Sequence, residues 1–259
     1  MTRRSAFQVQ RTVVFALFLR EMKTRFGTHK LGYLWVVLEP LLHVGVLLLI
    51  FSLLSARAVP NISFPVFLAT GVAPWMLFIN AVNRCMVAIS SNRGLLGFSP
   101  VKPIDTVVTR VLVELVLFVS LTLVLMSIAW WLGYPVVIAR PLELAVLILS
   151  LLVFGGSIGL VLAVVAHRYD DVTKFVPALL RPFYFISGIF FMLAALPPNI
   201  RELALWNPLA HWFDLIRVAV FSHYPPPTGS WLVVAACTSV TFLFALMLYR
   251  IRRFDLSAS

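Results

Sequence analysis

Charge is scarce in this sequence, and negative charge is scarcest. Asp, Glu, Lys and Arg together make up 12% of 259 residues, and only ten are acidic. A soluble domain carries roughly twice that share, about 25%. With 61% hydrophobic residues, the chain reads as a polytopic membrane protein. Nucleotide chemistry is missing too: no Gly-Lys-Ser or Gly-Lys-Thr occurs, so there is no P-loop. No H-E-x-x-H occurs, and the five histidines (His29, His43, His167, His211, His223) stand apart, none with a partner at metal-ligand spacing. The two cysteines, Cys85 and Cys237, lie far apart in apolar runs and read as small packing residues. The opening MTRRSAFQVQR is charged, but no short apolar core with a small-residue cleavage site follows, so no cleaved signal peptide is expected.

Apolar runs are what the chain has in plenty. Six are expected to span a bilayer, at residues 33–54, 64–90, 110–132, 142–166, 175–196 and 231–249. The net charge of +11 follows from how the segments between them are charged. If the N-terminus is cytoplasmic, seventeen of the twenty-one Lys and Arg fall inside, and only Arg57, Arg140, Arg201 and Arg217 fall outside. The positive-inside rule then predicts that both termini are cytoplasmic. The basic excess is thereby topological, and nucleic acid is not an expected partner.

Residues 20–54 organise the rest. Phe15, Leu19, Met22 and Phe26 share one helical face, with Arg20, Glu21 and Thr24 opposite and Lys23 and Arg25 on the flanks. That pattern predicts a helix lying in the membrane interface, feeding through Gly27 and Gly32 into the first span. A run of about 22 residues reaches about 33 Å, enough to cross. Within it Glu39 and His43 are the main polar pair, four apart. Inter-helix packing and substrate contact are both open for them.

The second span holds Gly71 and Pro74 and is expected to kink there against protein. The following cytoplasmic loop carries Arg93, Leu95, Leu96 and Phe98; its apolar residues either dip into the interface or form a knob that docks a soluble partner. Arg110 and Glu114 are expected to pair locally, four apart. Gly155-Gly156-Ser157-Ile158-Gly159 matches G-x-S-x-G, but a nucleophile elbow needs a strand-to-helix turn and a His/Asp pair. The G-x-x-x-G of Gly155 and Gly159, which lets another helix approach, is preferred. Asp170 and Asp171 read either as a hydrated turn or as a contact to a basic cytoplasmic partner. Phe183, Tyr184, Phe185, Phe190 and Phe191 crowd around Gly188; they are core or lipid-facing, or they line a path for sugar rings. Asn207-Pro208 predicts a helix start. Leu209, Trp212, Phe213, Ile216 and Val220 follow on one apolar face, with Asp214 and Arg217 placed to pair. A short amphipathic helix at the outer surface, or a re-entrant one, is expected.

Four stretches together resemble the membrane subunit of ABC-2-type exporters, and among these the polysaccharide exporters. They are REMKTRFGTHKLGYLWVVLEPLL (20–42), VKPIDT (101–106), RYDDV (168–172) and ISGIFF…LPP…WNPLAHWFDLIR (186–217). The resemblance covers nearly the whole chain, and VKPIDT is most similar to the capsular polysaccharide exporters of Gram-negative bacteria. It implies a single all-α ABC-2-type transmembrane domain over 1–259. This has a cytoplasmic interfacial helix in 1–31, six transmembrane helices in 33–249 and a cytoplasmic tail in 250–259. Short re-entrant or amphipathic periplasmic helices are implied between spans five and six. It also implies a homodimer in the bacterial inner membrane, paired with two copies of a separate ABC ATPase. That partner would bind ATP and Mg, with no cofactor in this chain. Further implied partners are periplasmic and outer-membrane export components and a lipid-linked polysaccharide.

For the site, the resemblance points to Tyr33, Trp35, Phe185 and Phe190 as sugar-facing. Arg20, Lys23, Arg25, Lys30 and Arg84 would form a basic entrance for an acidic lipid-linked end; setting topology and holding headgroups is the other reading of these cations. Coupling to the ATPase would fall on Arg20, Lys23, Arg93, Leu95, Leu96, Phe98, Asp170 and Asp171. Rival cargoes are O-antigen, teichoic acid or a small lipophilic compound. A rival of another class is an integral-membrane lipid-modifying enzyme, which would need a convergent polar cluster.

Overall fold

The computed structural model describes residues 5–26, 31–53, 62–97, 100–134 and 137–257, and for 6, 26, 31–37 and 52 the backbone alone. Among the described residues there are ten α-helices, two short 3-10 turns and no strand. In chain order the helices are α1 (Ala6–Phe26), α2 (Leu31–Leu53), α3 (Phe64–Met86), α4 (Arg93–Leu96), α5 (Pro103–Trp131), α6 (Pro141–Ala166), α7 (Val172–Ile186), α8 (Pro198–Ala204), α9 (Pro208–Val220) and α10 (Trp231–Ser257). Proline opens α5, α6, α8 and α9, where its missing N–H costs nothing and its fixed φ suits the first turn. Asn207 caps α9 as expected, its side chain accepting from Leu209 N at 3.1 Å.

Among the described residues four helices, α3, α5, α6 and α10, are long and apolar enough to cross a membrane. α2 has 23 residues, with an apolar stretch over Leu38–Phe51. The run at 175–196, expected to be one span, is not one helix. α7 has 15 residues, about 22 Å, against a hydrocarbon thickness of about 30 Å. It already carries Pro177 and Pro182. The chain then turns at Ser187 and Gly188, where Gly188 has φ +82°, a conformation that favours glycine.

α3 is the central column, packed against α5, α6 and α9. It stays helical through Gly71 and Pro74, both buried in protein. The close-approach reading of α6 holds. A Cβ on Gly159 would stand 2.5 Å from Cys85 Cβ and 2.9 Å from Val82 O, and one on Gly155 3.1 Å from Phe78 O. Ser157 is buried in the middle of that helix, so no elbow presents it. The core is continuous from Leu68 and Phe78 on α3 through Leu147 and Leu151 on α6 to Trp212 and Ile216 on α9. A second cluster joins the end of α3 (Cys85) and the start of α5 (Val107) to the ends of α6 (Ala163) and α10 (Leu256). α1 and the C-terminal end of α10 therefore sit at one end of the bundle. α9 and the start of α6 sit at the other, tied by Arg140 N donating to Ala219 O at 2.8 Å.

α9 is not a surface helix with one apolar face. It is buried on every side, with His211, Asp214 and Arg217 as enclosed as Trp212 and Phe213. The sequence around it supplies the partners: Trp212 stacks on Phe154 (4.8 Å between centroids) and donates to Ser150 Oγ at 2.9 Å.

Candidate functional site

α1 docks on the bundle by its polar side. Leu17 and Glu21 are buried, while Phe7, Phe15 and Leu19 are left uncovered by protein. Four polar contacts hold that side. Arg25 Nη1 reaches Glu114 Oε1 at 2.5 Å, and Arg110 Nη1 reaches Glu21 Oε1 at 2.8 Å. Arg20 donates to Asn92 Oδ1 in the loop before α4, and Gln10 donates to Asp105 at the start of α5. Arg110 also donates to Ser91 Oγ at 3.2 Å. Helix α1, the loop and the first three turns of α5 thus form one charged node.

This corrects the expected local pair. Arg110 and Glu114 share a face of α5, but each takes its partner from α1. The reason is reach and burial. Glu114 is 2% exposed, and a buried carboxylate needs a strong, direct donor, which the Arg25 guanidinium brings from across the seam. Local i,i+4 pairs are worth only a few tenths of a kcal/mol, about 0.2–0.5, so the cross-helix arrangement wins.

At the far end Arg217 is 1% exposed and does not pair with Asp214. Its guanidinium donates to Gly188 O (2.5 Å), Ile189 O (2.5 Å) and Phe191 O (2.9 Å), and lies 3.8 Å over the Phe67 ring. One fork of donors satisfies the carbonyls of the turn after α7. Gly71 permits that approach, since a Cβ there would stand 2.9 Å from Ile189 O. Asp214 instead accepts from Thr228 N (2.7 Å), Gly229 N (2.8 Å) and the Tyr224 hydroxyl (3.2 Å). Burial pushes the Tyr224 phenol up, which keeps it a donor. His211 Nδ1 accepts from Ser230 N at 2.9 Å, so Nε2 carries the proton it gives Leu205 O at 3.0 Å.

Between the ends lies an aromatic cluster. Phe190 stacks on Phe51 (5.5 Å) and Phe185 (5.8 Å), and Tyr184 meets Phe190 edge-on and Trp75 at 5.4 Å. Tyr184 Oη lies 2.7 Å from His43 Nε2, linking α7 to α2. His43 thus has a partner on another helix. Glu39 lines a cleft with Arg25, Asn80, Arg84 and Glu114.

The fold sorts the expected site residues. Arg20 and Arg25 are committed to Asn92 and Glu114. Lys23 is exposed, as are Arg84 and Arg93. Leu95 and Leu96 are half-buried on α4, with Asp170 and Asp171 in an exposed turn after α6. Asp171 meets Lys174 at 3.6 Å, a solvent-facing pair of small worth. Phe185 is exposed and Phe190 half-buried. Lys30, Phe98 and the side chains of Tyr33 and Trp35 lie outside the described residues. Sequence reasoning missed Glu21 as the partner of Arg110, Asn92 and Asp105 as partners of Arg20 and Gln10 on α1, and Arg217 as the anchor of the turn. The one available signal was the rarity of acids: three of the ten, Glu21, Asp105 and Glu114, meet in this node.

The sequence profile of the ABC-2 type transporters matches residues 12–221. The chain belongs to the ABC-2 type transporter family. It is 43% identical over 249 residues to the polysialic acid transport protein KpsM of Escherichia coli, covering 96% of each chain. It is 31% identical to the capsule polysaccharide export inner-membrane protein CtrC of Neisseria meningitidis serogroup B, over 92% of this chain and 90% of that one. It is 29% identical to the O-antigen export system permease protein RfbA of Myxococcus xanthus, over 96% and 95%. Within this ABC-2 chain the profile takes in both the charged node of α1 and the buried α9.

Proposed function

We propose that this chain is the membrane subunit of an ATP-driven exporter that moves a lipid-linked, acidic capsular polysaccharide across the inner membrane. The observation that carries the reading is the full-length similarity to a polysialic acid transport protein. Two copies form the channel and two copies of a separate ATPase bind ATP and Mg. Periplasmic and outer-membrane components complete the route. Both termini face the cytoplasm, α2 is a fifth crossing, α7 together with the turned segment up to Leu196 is the sixth, and α8 and α9 lie on the periplasmic side. The charge distribution along the sequence supports that orientation.

In this reading the ATPase pushes on Leu95, Leu96 and Arg93 of α4, with Asp170 and Asp171 beside it. The node around Glu21 and Arg110 passes that push to α1 and α5. Lys23 stays free for the acidic end of the cargo, since it has no acidic neighbour on α1 within reach of its exposed face. The aromatic cluster of Phe185 and Phe190 offers the flat apolar faces on which sugar rings stack. Export of O-antigen is the second reading, favoured by the similarity to RfbA.

Purification of the tagged chain from its native membrane in mild detergent tests this. An ATPase in equal amount, together with loss of surface acidic glycan when the chain is removed, is the expected result. A chain that purifies alone while other ABC complexes survive overturns it.

A further inference from the structure

The cleft beside α1 holds more polarity than the lipid-facing side of a helix bundle tolerates without a partner. Arg25 and Glu114 neutralise one another. Glu39, Asn80 and Arg84 remain, from α2 and α3, and among the described residues none of the three makes a hydrogen bond or ion pair. The cleft encloses about 290 Å³. Its foot is at the last turn of α3, where α1 lies across the bundle. Above it the same three helices, α2, α3 and α5, line a second, almost wholly apolar chamber of about 190 Å³, walled by Gly45, Leu48, Ala69 and Leu125. From Glu114 to Leu125 α5 rises about 16 Å, close to half of the ~30 Å hydrocarbon thickness. That is the depth an acyl chain of one leaflet reaches.

We infer that this groove holds a resident zwitterionic aminophospholipid of the bilayer, its phosphate on Arg84 and Asn80, its ammonium on Glu39 and one acyl chain in the apolar chamber. A guanidinium and a carboxylate that line one cleft complement a headgroup of both signs, and an acidic lipid would meet Glu39 unfavourably. The inference rests on reading the chain as membrane-spanning with the Arg84 end at an interface; it does not depend on the cargo. The site makes α1, α2, α3 and α5 share one lipid at the joint that α1 works on.

The test is lipid retention by the full chain with its accompanying partner. Nanodiscs of phosphatidylethanolamine or phosphatidylglycerol with the same acyl chains are exchanged into detergent, and bound lipid is counted by native mass spectrometry. Phosphatidylethanolamine is expected to be retained about tenfold better. Glu39→Gln should bring the two lipids level, Arg84→Gln should lose both, and Arg84→Lys should keep both. Gly45→Leu has room, since nothing lies within 4 Å of a Cβ there; it should fill the chamber and lower retention of both lipids alike. Equal retention of the two lipids by the unmodified chain, or no effect of Glu39→Gln, overturns the inference. Surface glycan unchanged when the chain is removed, with the lipid preference intact, would count against the proposed cargo alone.

Discussion

The two ends of this bundle keep their buried charges in different ways. At the α1 end, Glu21, Arg25, Arg110 and Glu114 neutralise one another across a seam between two helices. At the α9 end, Arg217 is held by three backbone carbonyls and a ring. A side-chain pair can slide, exchange partners and re-form. A guanidinium locked to carbonyls of one turn has a single geometry. The first suits a joint that moves with a partner, and the second suits a fixed anchor for the turn after α7.

The largest effect should come from breaking the anchor. Arg217→Ala leaves three carbonyls without their donor and is expected to cost about 3–5 kcal/mol, read as loss of the folded chain in a detergent thermal melt. Arg217→Lys should rescue little, because a single ammonium cannot reproduce the fork. Next in size is Gly71→Ala. Its Cβ would meet Ile189 O and Ile189 Cγ2 at 2.9 Å, overpacking that costs about 1–3 kcal/mol; a melt as stable as the parent's would show that the turn is free to shift. At the other end Glu21→Arg should repel Arg110 and lower stability by a comparable amount, about 1–3 kcal/mol, and adding Arg110→Glu should recover most of it, because the seam needs opposite signs and not a given order. A double variant no more stable than the single would make the node as rigid as the anchor and remove the contrast. Tyr224→Phe is the smallest, about 1 kcal/mol, since Asp214 keeps its two backbone donors.

How much of this was legible in the residues follows the same division. The spans of α3, α5, α6 and α10, the cap at Asn207 and the close approach at Gly155 and Gly159 rest on local pattern, and local pattern is what a sequence displays. The pairing of Arg110 and Glu114 was misread because spacing of four residues names a shared face and says nothing of another helix crossing it. The run at 175–196 was misread as one continuous helix because apolarity alone does not register a turn at Ser187 and Gly188. Arg217 was placed on an amphipathic surface helix because its partners are carbonyls, which leave no mark in side-chain composition. The burial of α9 follows from those partners and from Ser150 and Phe154, all distant in sequence.

The most direct measurement on the α1 joint is surface glycan in cells carrying Glu21→Arg, Arg110→Glu or both, at matched membrane levels and with the ATPase still attached. The account predicts that each single reversal exports little glycan and that the double exchange restores most of it. Single reversals that export as well as the unaltered chain would contradict the idea that this node passes force to α1 and α5.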